Sequence, residues 1–407
     1  MSAKTSSTLT VVLVVLIIVA GVAGYFAGSS AVPPPKTVTI TTTVGTPTTI
    51  TVTQTLPTTV TVTVAPTPTP GKVYKWRVPV SRLPADPLYP FFQQWAELVR
   101  NMSNGRLIIE IYAPGELFPV GETLDAVARG TVEAAVTYVG YWLAQDPVLG
   151  FVQPALPAPT KRPDEVWLYH KLFEDIFRRH VEKFGVKYIG PLMFTAWEIL
   201  MCRIPIRSLD DLNGKIIRSP GLGTEIYLAV GAKAVALAVG EIFTALQQGT
   251  IDCLQWSDYL SDYKLGFHEV AKYVLEPPIN GSLHEASFYD SLIVNPKVWN
   301  ELPDDLKTIV KVSMEYIFFN AGYQIYKFNE IGRELMLKAG VTITTLSPKD
   351  SQRVVDLAIE RIYIKYAKVD PDVAKICREL VKFWRELGYT DWADKLEKAL
   401  RAEGLLS

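Results

Sequence analysis

Three cysteines and four histidines are all that 407 residues provide. Cys202, Cys253 and Cys377 are too few for a disulfide framework and show no CxxC spacing, so they read as small buried apolar residues. His170, His180, His268 and His284 make no metal-ligand spacing, and His284 beside Glu285 is the one adjacent pair worth weighing. No GxSxG, HExxH or Walker loop occurs. The Gly-Leu-Gly at 221–223 lacks the rest of a dinucleotide pattern and reads as turn glycines. Lys and Arg number 41 against 42 Asp and Glu, giving a net charge of −1, so no basic field invites nucleic acid. These absences count against the common nucleophile–base, zinc and nucleotide chemistries.

Charge is also missing from the first 71 residues. Leu9 to Phe26 is almost wholly apolar, preceded by Lys4 alone, and long enough for a bilayer core. It reads as an anchor, or as a signal peptide cut near Ser29-Ser30-Ala31. Residues 32–71 follow as a Thr/Pro/Val stretch whose one charge is Lys36. Its Thr-Val alternation has β propensity, but repeated prolines and few bulky apolar residues argue against a packed domain. An extended, O-glycosylated stalk fits that composition. At ~3.1 Å per residue such a spacer reaches on the order of 100 Å, a length most useful to a retained anchor. Asn101 and Asn280 begin N-x-Ser sequons, in keeping with an external location.

The stretch from Val239 to Trp256 organises the rest. Glu241 sits in the first turn of a helix whose Ile242, Ala245 and Leu246 form a buried stripe. Gly249 is placed to end it in the left-handed conformation. Ile251 to Leu254 then read as a strand covered on both faces, with Gln255 and Trp256 at its carboxyl end, where open α/β sheets bind ligands. Residues 121–136, GETLDAVARGTVEAAV, align without a gap on 240–255, GEIFTALQQGTIDCLQ. Two such units in matching contexts imply two similar α/β lobes, each giving a strand end to one cleft.

Around these units, 75–80 and 106–112 read as strands and 87–102 as a helix with Phe91, Phe92, Trp95 and Val99 inward. Tyr138, Tyr141 and Trp142 follow the first unit and line either the cleft or the core. Leu168, Leu172, Phe173, Ile176 and Phe177 make an amphipathic helix after a proline-rich loop over 145–163. A strand over 214–217 ends at Arg218, beside a helix N-terminus near Leu222. That placement suits an anion, because the guanidinium fork can donate two parallel bonds to a carboxylate. The alternative is an arginine paired to an acid of its own lobe. From Asn295 the helical pattern runs to about Ala339, long enough to span both lobes, and further helices fill 350–367, 371–387 and 391–403.

GEIFTALQQGTIDCLQW, the preceding SLDDLNGKIIRSPGLGTEIY, NGRLIIEIYAPGELFP and TYVGYW together resemble the extracytoplasmic solute receptors of TRAP transporters, the DctP family, over residues 74–385. The similarity is greatest to the branch that binds 2-oxo acids and lactate. It implies an α/β, two-lobed periplasmic-binding-protein-like (type II) fold with a long helix spanning both lobes. The expected organisation is a short cytoplasmic N-terminus (1–8), an anchor or signal segment (9–28) and a stalk (29–72). Lobe 1 (73–193) and lobe 2 (194–282) follow, then a return strand, the long helix and C-terminal helices (283–407).

The resemblance implies a small 2-oxo or 2-hydroxy carboxylate as ligand, delivered to small and large membrane subunits, and no enzymatic activity. Arg218 matches the family's carboxylate-binding arginine and Trp256 its cleft tryptophan. A sodium or calcium ion is implied beside the ligand, on Gln255, the Trp256 carbonyl and Glu285. Here Gln255 replaces the usual glutamate, and an upstream glutamine falls at Trp197 or Glu198. An extracellular enzyme or a tethered carboxylate sensor built on the same cleft are the competing functions.

Overall fold

The computed structural model describes residues 36–38, 54–56, 72–153, 157–196, 199–276 and 287–406. The chain divides into two units, residues 1–71 and 72–407. In the first, β1 (Lys36–Val38) pairs antiparallel with β2 (Gln54–Leu56). The anchor expected over 9–28, and the stalk apart from these two strands, lie outside the described residues. No described helix is long and apolar enough to cross a membrane.

The second unit carries two sheet systems, the first of them made of a two-stranded and a three-stranded sheet. In the first, β3 (Tyr74–Pro79) lies parallel to β4 (Leu107–Tyr112), with α1 (Tyr89–Met102) between them in sequence. Phe92, Trp95 and Val99 of α1 are buried as their spacing predicts. α2 (Thr123–Arg129) leads to β5 (Ala134–Thr137), and α3 (Pro163–Glu182) to β6 (Lys187–Ala196). β12 (Ser287–Val294) returns to stand between β5 and β6, antiparallel to both. The inward face of α3 differs from the expectation. Phe173, Ile176 and Phe177 are buried, but Leu168 and Leu172 are exposed, because Val166, Tyr169 and His170 take the inner face instead. Burial lowers the pKa of His170 to about 3, leaving it a neutral core residue that meets Tyr289 Oη at 3.2 Å.

The second sheet has six strands in the order β13-β11-β7-β10-β8-β9. In chain order these are β7 (Leu200–Cys202), β8 (Ile216–Arg218), α4 (Thr224–Ala229), β9 (Lys233–Val235), α5 (Val239–Gln248) and β10 (Cys253–Gln255). α6 (Tyr259–Lys264) and β11 (Tyr273–Glu276) follow, and β13 (Thr342–Thr345) adds an edge strand from much later in the chain. β10 is covered on both faces: Cys253 packs into one apolar cluster and Leu254 into another on the opposite side. Here the sequence reading of the cysteines is corrected. β7 and β10 run antiparallel with Cys202 opposite Cys253, and the two are joined in a disulfide across 51 residues. Only long-range pairing brings them together, so spacing could not reveal it. Cys377 is the buried free thiol that composition suggested.

The two internally similar stretches fold alike. α2 ends at Gly130 (φ 77°) and α5 at Gly249 (φ 77°), both in the left-handed region that favours glycine. After each, a threonine N–H closes the same bond, Thr131 to Ala126 O (2.9 Å) and Thr250 to Ala245 O (3.0 Å). The matching acids also act alike. Glu133 accepts the Arg77 backbone N–H of β3 (2.8 Å), and Asp252 accepts that of Ile216 in β8 (2.9 Å). Each unit therefore carries its own clamp on the neighbouring strand, which explains why the acid recurs.

α7 (Asp304–Lys338), 35 residues long, braces both sheet systems. Gly322 sits against Pro163 of α3, and Gly332 against the Tyr259–Leu260 backbone of α6, where a Cβ would lie 2.2 Å from Leu260 N. Asn329 accepts from Tyr259 N (3.3 Å) and donates to Ala196 O (3.4 Å), and Arg333 pairs with Glu276 of β11 (3.1 Å). α8 (Pro371–Glu386) and α9 (Thr390–Ala402) then pack on the first lobe's core.

Asp252→Ala removes one clamp and leaves the Ile216 N–H unsatisfied, a loss of about 1–3 kcal/mol. Urea denaturation should show the midpoint falling accordingly, whereas an unchanged midpoint would mean that the clamp contributes nothing.

Candidate functional site

Strand ends from both lobes meet at one place. β8 ends on Arg218, β10 on Gln255 with Trp256 next, and β5 is followed by Tyr138 and Tyr141; Ser81 and Arg82 come from the segment after β3. A cavity of about 250 Å³ opens here, lined by Ser81, Tyr141, Arg218 and Trp256 among others. A smaller one of about 30 Å³ adjoins it, lined also by Arg82, Tyr138, Gln255, Phe288 and Asp290. Five of the seven expected ligand residues, Arg218, Trp256, Gln255, Tyr138 and Tyr141, are thus brought together. Trp197, Glu198 and the expected metal ligand Glu285 lie outside the described residues.

Arg218 is only 1% exposed. Its Nη1 donates to Gln255 O (2.7 Å), and its Nε and Nη2 donate to Leu237 O (3.2 and 3.1 Å). Those bonds fix the fork, but they supply no counter-charge. The alternative of an acid partner in its own lobe is not realised among the described residues, whose ion pairs do not include Arg218. Two guanidiniums lie over the Trp256 ring, Arg218 at 5.2 Å and Arg82 at 5.3 Å from its centroid. Each contact is a cation–π attraction that holds the indole in place. Trp256 Nε1 is buried without a hydrogen-bond partner. Tyr138 packs edge-on against Tyr141 (5.2 Å) and Phe288 (5.9 Å). Trp142 resolves toward the core, 7% exposed among the apolar side chains of the first lobe.

Arg82 is the residue that sequence reasoning missed, although it follows β3 much as Arg218 ends β8. It donates to Ser257 Oγ (2.8 Å) and lies 3.5 Å from Asp86 and 3.7 Å from Asp290. Asp258 caps α6 through Leu260 N and Ser261 N (3.0 and 3.1 Å), and Ser261 Oγ also donates to Asp86 (3.1 Å). Burial, then the neighbouring Asp86, raises the pKa of Asp258; burial, then Asp258 and Asp86, raises that of Asp262 well above its ordinary value. Arg82 thus pairs with two buried aspartates, Asp86 and Asp290, and the buried Asp258 and Asp262 lie near Asp86.

Gln255 offers a neutral oxygen of the kind a hard cation accepts, and its side chain is 1% exposed on the smaller cavity's wall. The donor chemistry of the described wall, an amide oxygen of Gln255 and a carboxylate of Asp290, fits a sodium or calcium ion. A second grouping with ligand spacing, Asp146, His180 and Asp370, does not line this cavity. There the Lys183 ammonium already lies 3.2 Å from Asp146 and 3.0 Å from His180 Nδ1.

Asp262 gives a pH test. Its folded pKa is raised, so the folded state binds more protons than the unfolded one, and stability falls as pH climbs from the ordinary value of 3.8 through the raised one. Asp262→Asn removes the titration. Its melting temperature should exceed that of the parent at neutral pH, with the gap closing on acidification. An equal gap at every pH would show that Asp262 does not titrate in this range.

Comparison with known proteins agrees with this geometry. The sequence profile of bacterial extracellular solute-binding protein, family 7 (DctP), matches residues 82–369. The chain is 32% identical over 223 residues to a monocarboxylate 2-oxoacid-binding periplasmic protein of Nostoc sp., covering 54% of this chain and 59% of that one. It is 26% identical over 258 residues to the C4-dicarboxylate-binding periplasmic protein DctP of Rhodobacter capsulatus, covering 61% of this chain and 73% of that one. A TRAP periplasmic solute-binding protein from Colwellia psychrerythraea, solved with bound calcium and pyruvate, superposes with a TM-score of 0.71 at 24% identity, covering 80% of this chain and 98% of that one. The chain has the two-lobed α/β fold of these proteins and belongs to bacterial extracellular solute-binding protein family 7.

Proposed function

We propose that this chain is the extracytoplasmic receptor of a TRAP-type transporter and binds a small 2-oxo or 2-hydroxy carboxylate between its lobes. The observation that carries this reading is Arg218, a buried guanidinium on the cavity wall with carbonyl partners that orient it and no described carboxylate that neutralises it. A ligand carboxylate supplies the missing charge. The receptor binds and releases; it does no chemistry. Favouring this over the enzyme reading, the relatives that the chain matches are named as binding proteins.

In this reading residues 9–28 anchor the chain and 29–72 hold the receptor away from the membrane, where small and large membrane subunits accept the ligand. The Cys202–Cys253 disulfide supports an oxidising, extracytoplasmic location. A sodium or calcium ion beside the ligand is held by Gln255, the Trp256 carbonyl and Glu285, and balances part of the anion's charge.

Arg218→Ala should weaken binding of a 2-oxo carboxylate by about 3–5 kcal/mol, because the buried anion loses its partner. Arg218→Lys should recover little, since a point charge cannot reproduce the fork. Calorimetric titration with melting curves as control decides this, and near-normal affinity in Arg218→Ala would remove the assigned anion site. The ion has its own test. Chelation should lower ligand affinity, readdition of calcium or sodium should restore it, and Glu285→Ala should mimic chelation. Affinity indifferent to all three would retire the ion.

A further inference from the structure

Away from the cleft, three segments far apart in the sequence bring metal-binding atoms together on the first lobe. Asp146 stands in the loop between Trp142 and Leu149, His180 in the last turn of α3, and Asp370 immediately before α8. One nitrogen or oxygen from each lies within 4.8 Å of those from the other two, and Asp146 and His180 are buried. Ligands of one zinc ion, with bonds of ~2.0–2.1 Å in a tetrahedral set, stand roughly 3.3 Å apart. Side-chain adjustment alone would therefore bring all three onto one ion.

The contacts around His180 call for a cation at this point. His180 Nε2 lies 3.0 Å from Asp372 Oδ2, which also accepts from Arg179 Nη2 at 2.9 Å. An ionised carboxylate only accepts, so the proton sits on Nε2. His180 Nδ1 is 2.7 Å from Asp146 Oδ2 and 3.0 Å from Lys183 Nζ, which is itself 3.2 Å from Asp146. One nitrogen cannot both donate to the carboxylate and accept from the ammonium. With Nδ1 as acceptor, it and Oδ2 are two lone-pair atoms facing one positive charge, as ligands face a metal. Lys183 supplies that charge from a side chain that is 56% exposed, so an ion can displace it without opening the core. The Nε2–H bond to a carboxylate is the outer contact that orients metal-binding histidines. Asp370 Oδ1 caps α8 through Asp372 N (2.8 Å) and Val373 N (3.1 Å), and its second oxygen takes no bond from a donor among the described residues.

We infer that Asp146, His180 Nδ1 and Asp370 form a binding site for a divalent transition-metal ion of the zinc type, with Lys183 swung out and water completing the set. An imidazole beside two carboxylates suits such an ion, whereas calcium takes oxygen ligands throughout. The site is thus separate in chemistry and in place from the ion proposed beside the ligand, and it does not rest on the receptor reading. Its work is mechanical. The family profile ends at residue 369, and Asp370 opens the α8–α9 pair that follows. The ion pins that pair to α3 and to the loop at Asp146.

The experiment is zinc binding by the full chain, followed by equilibrium dialysis with elemental analysis and by melting with and without zinc. The chain should bind one zinc ion and melt at a higher temperature with it. Asp372→Asn should weaken zinc binding ~10–100-fold, the usual cost of losing the outer partner of a metal-binding histidine. Asp370→Asn keeps a good helix cap but withdraws a charged ligand, so it should fold like the parent and lose the zinc-dependent rise. Lys183→Ala removes the competing ammonium and should tighten zinc binding. Glu285→Ala, which is aimed at the cleft, should leave the rise intact. Melting indifferent to zinc, a rise that survives Asp370→Asn or vanishes in Glu285→Ala, or zinc binding no tighter in Lys183→Ala would overturn the site. Any of these would reduce the cluster to ion pairs and leave the receptor reading untouched.

Discussion

A guanidinium held in a protein interior needs its donors satisfied and its charge answered, and at Arg218 the first is done in part and the second not at all among the described residues. Carbonyl oxygens of Leu237 and Gln255 take one bond from each nitrogen, which leaves a second N–H on Nη1 and on Nη2. Those two carbonyls are spaced by β8, β9 and β10, so the sheet order sets where the fork points. The disulfide behind β10, the left-handed glycine before it and the acid that clamps it to β8 all fix the strand that carries Gln255 and Trp256. The lobe holds a positive charge at a defined angle on the cavity wall, and the proposed anion site rests on that charge.

Charge of the opposite sign surrounds the second guanidinium. Arg82 reaches from the first lobe toward Ser257 of the second and is flanked by Asp86 and Asp290. Both arginines face the same indole, one matched by carboxylates and one not. The proposed function rests on that asymmetry, with Arg82 as the structural cation and Arg218 as the one that binds. It also puts titratable groups at the contact between lobes, where protonation couples to folding.

Much of this was legible in the chain because it rests on local rules. The repeated Gly-Glu…Gly-Thr pattern specified helix, left-handed stop and strand in both lobes, and the strand ends then identified Arg218, Gln255, Trp256, Tyr138 and Tyr141 as neighbours. What escaped depends on contacts between distant segments. Cys202 and Cys253 look unrelated until β7 and β10 pair, and Arg82 carries no motif, gaining its role from Ser257 and Asp290 far along the sequence. Leu168 and Leu172 fit a helical apolar stripe but face outward, since Tyr169 and His170 complete the buried face of α3. Periodicity locates a helix more surely than it chooses between two faces of similar apolarity.

The central claim is that the cleft captures a carboxylate and returns it unchanged. Native mass spectrometry of the full chain incubated with a 2-oxo monocarboxylate measures both halves in one sample. The account predicts a single acid bound per chain and, after denaturation, recovery of that acid with its mass unaltered. A converted product, or no complex at an excess of acid and calcium, would contradict it.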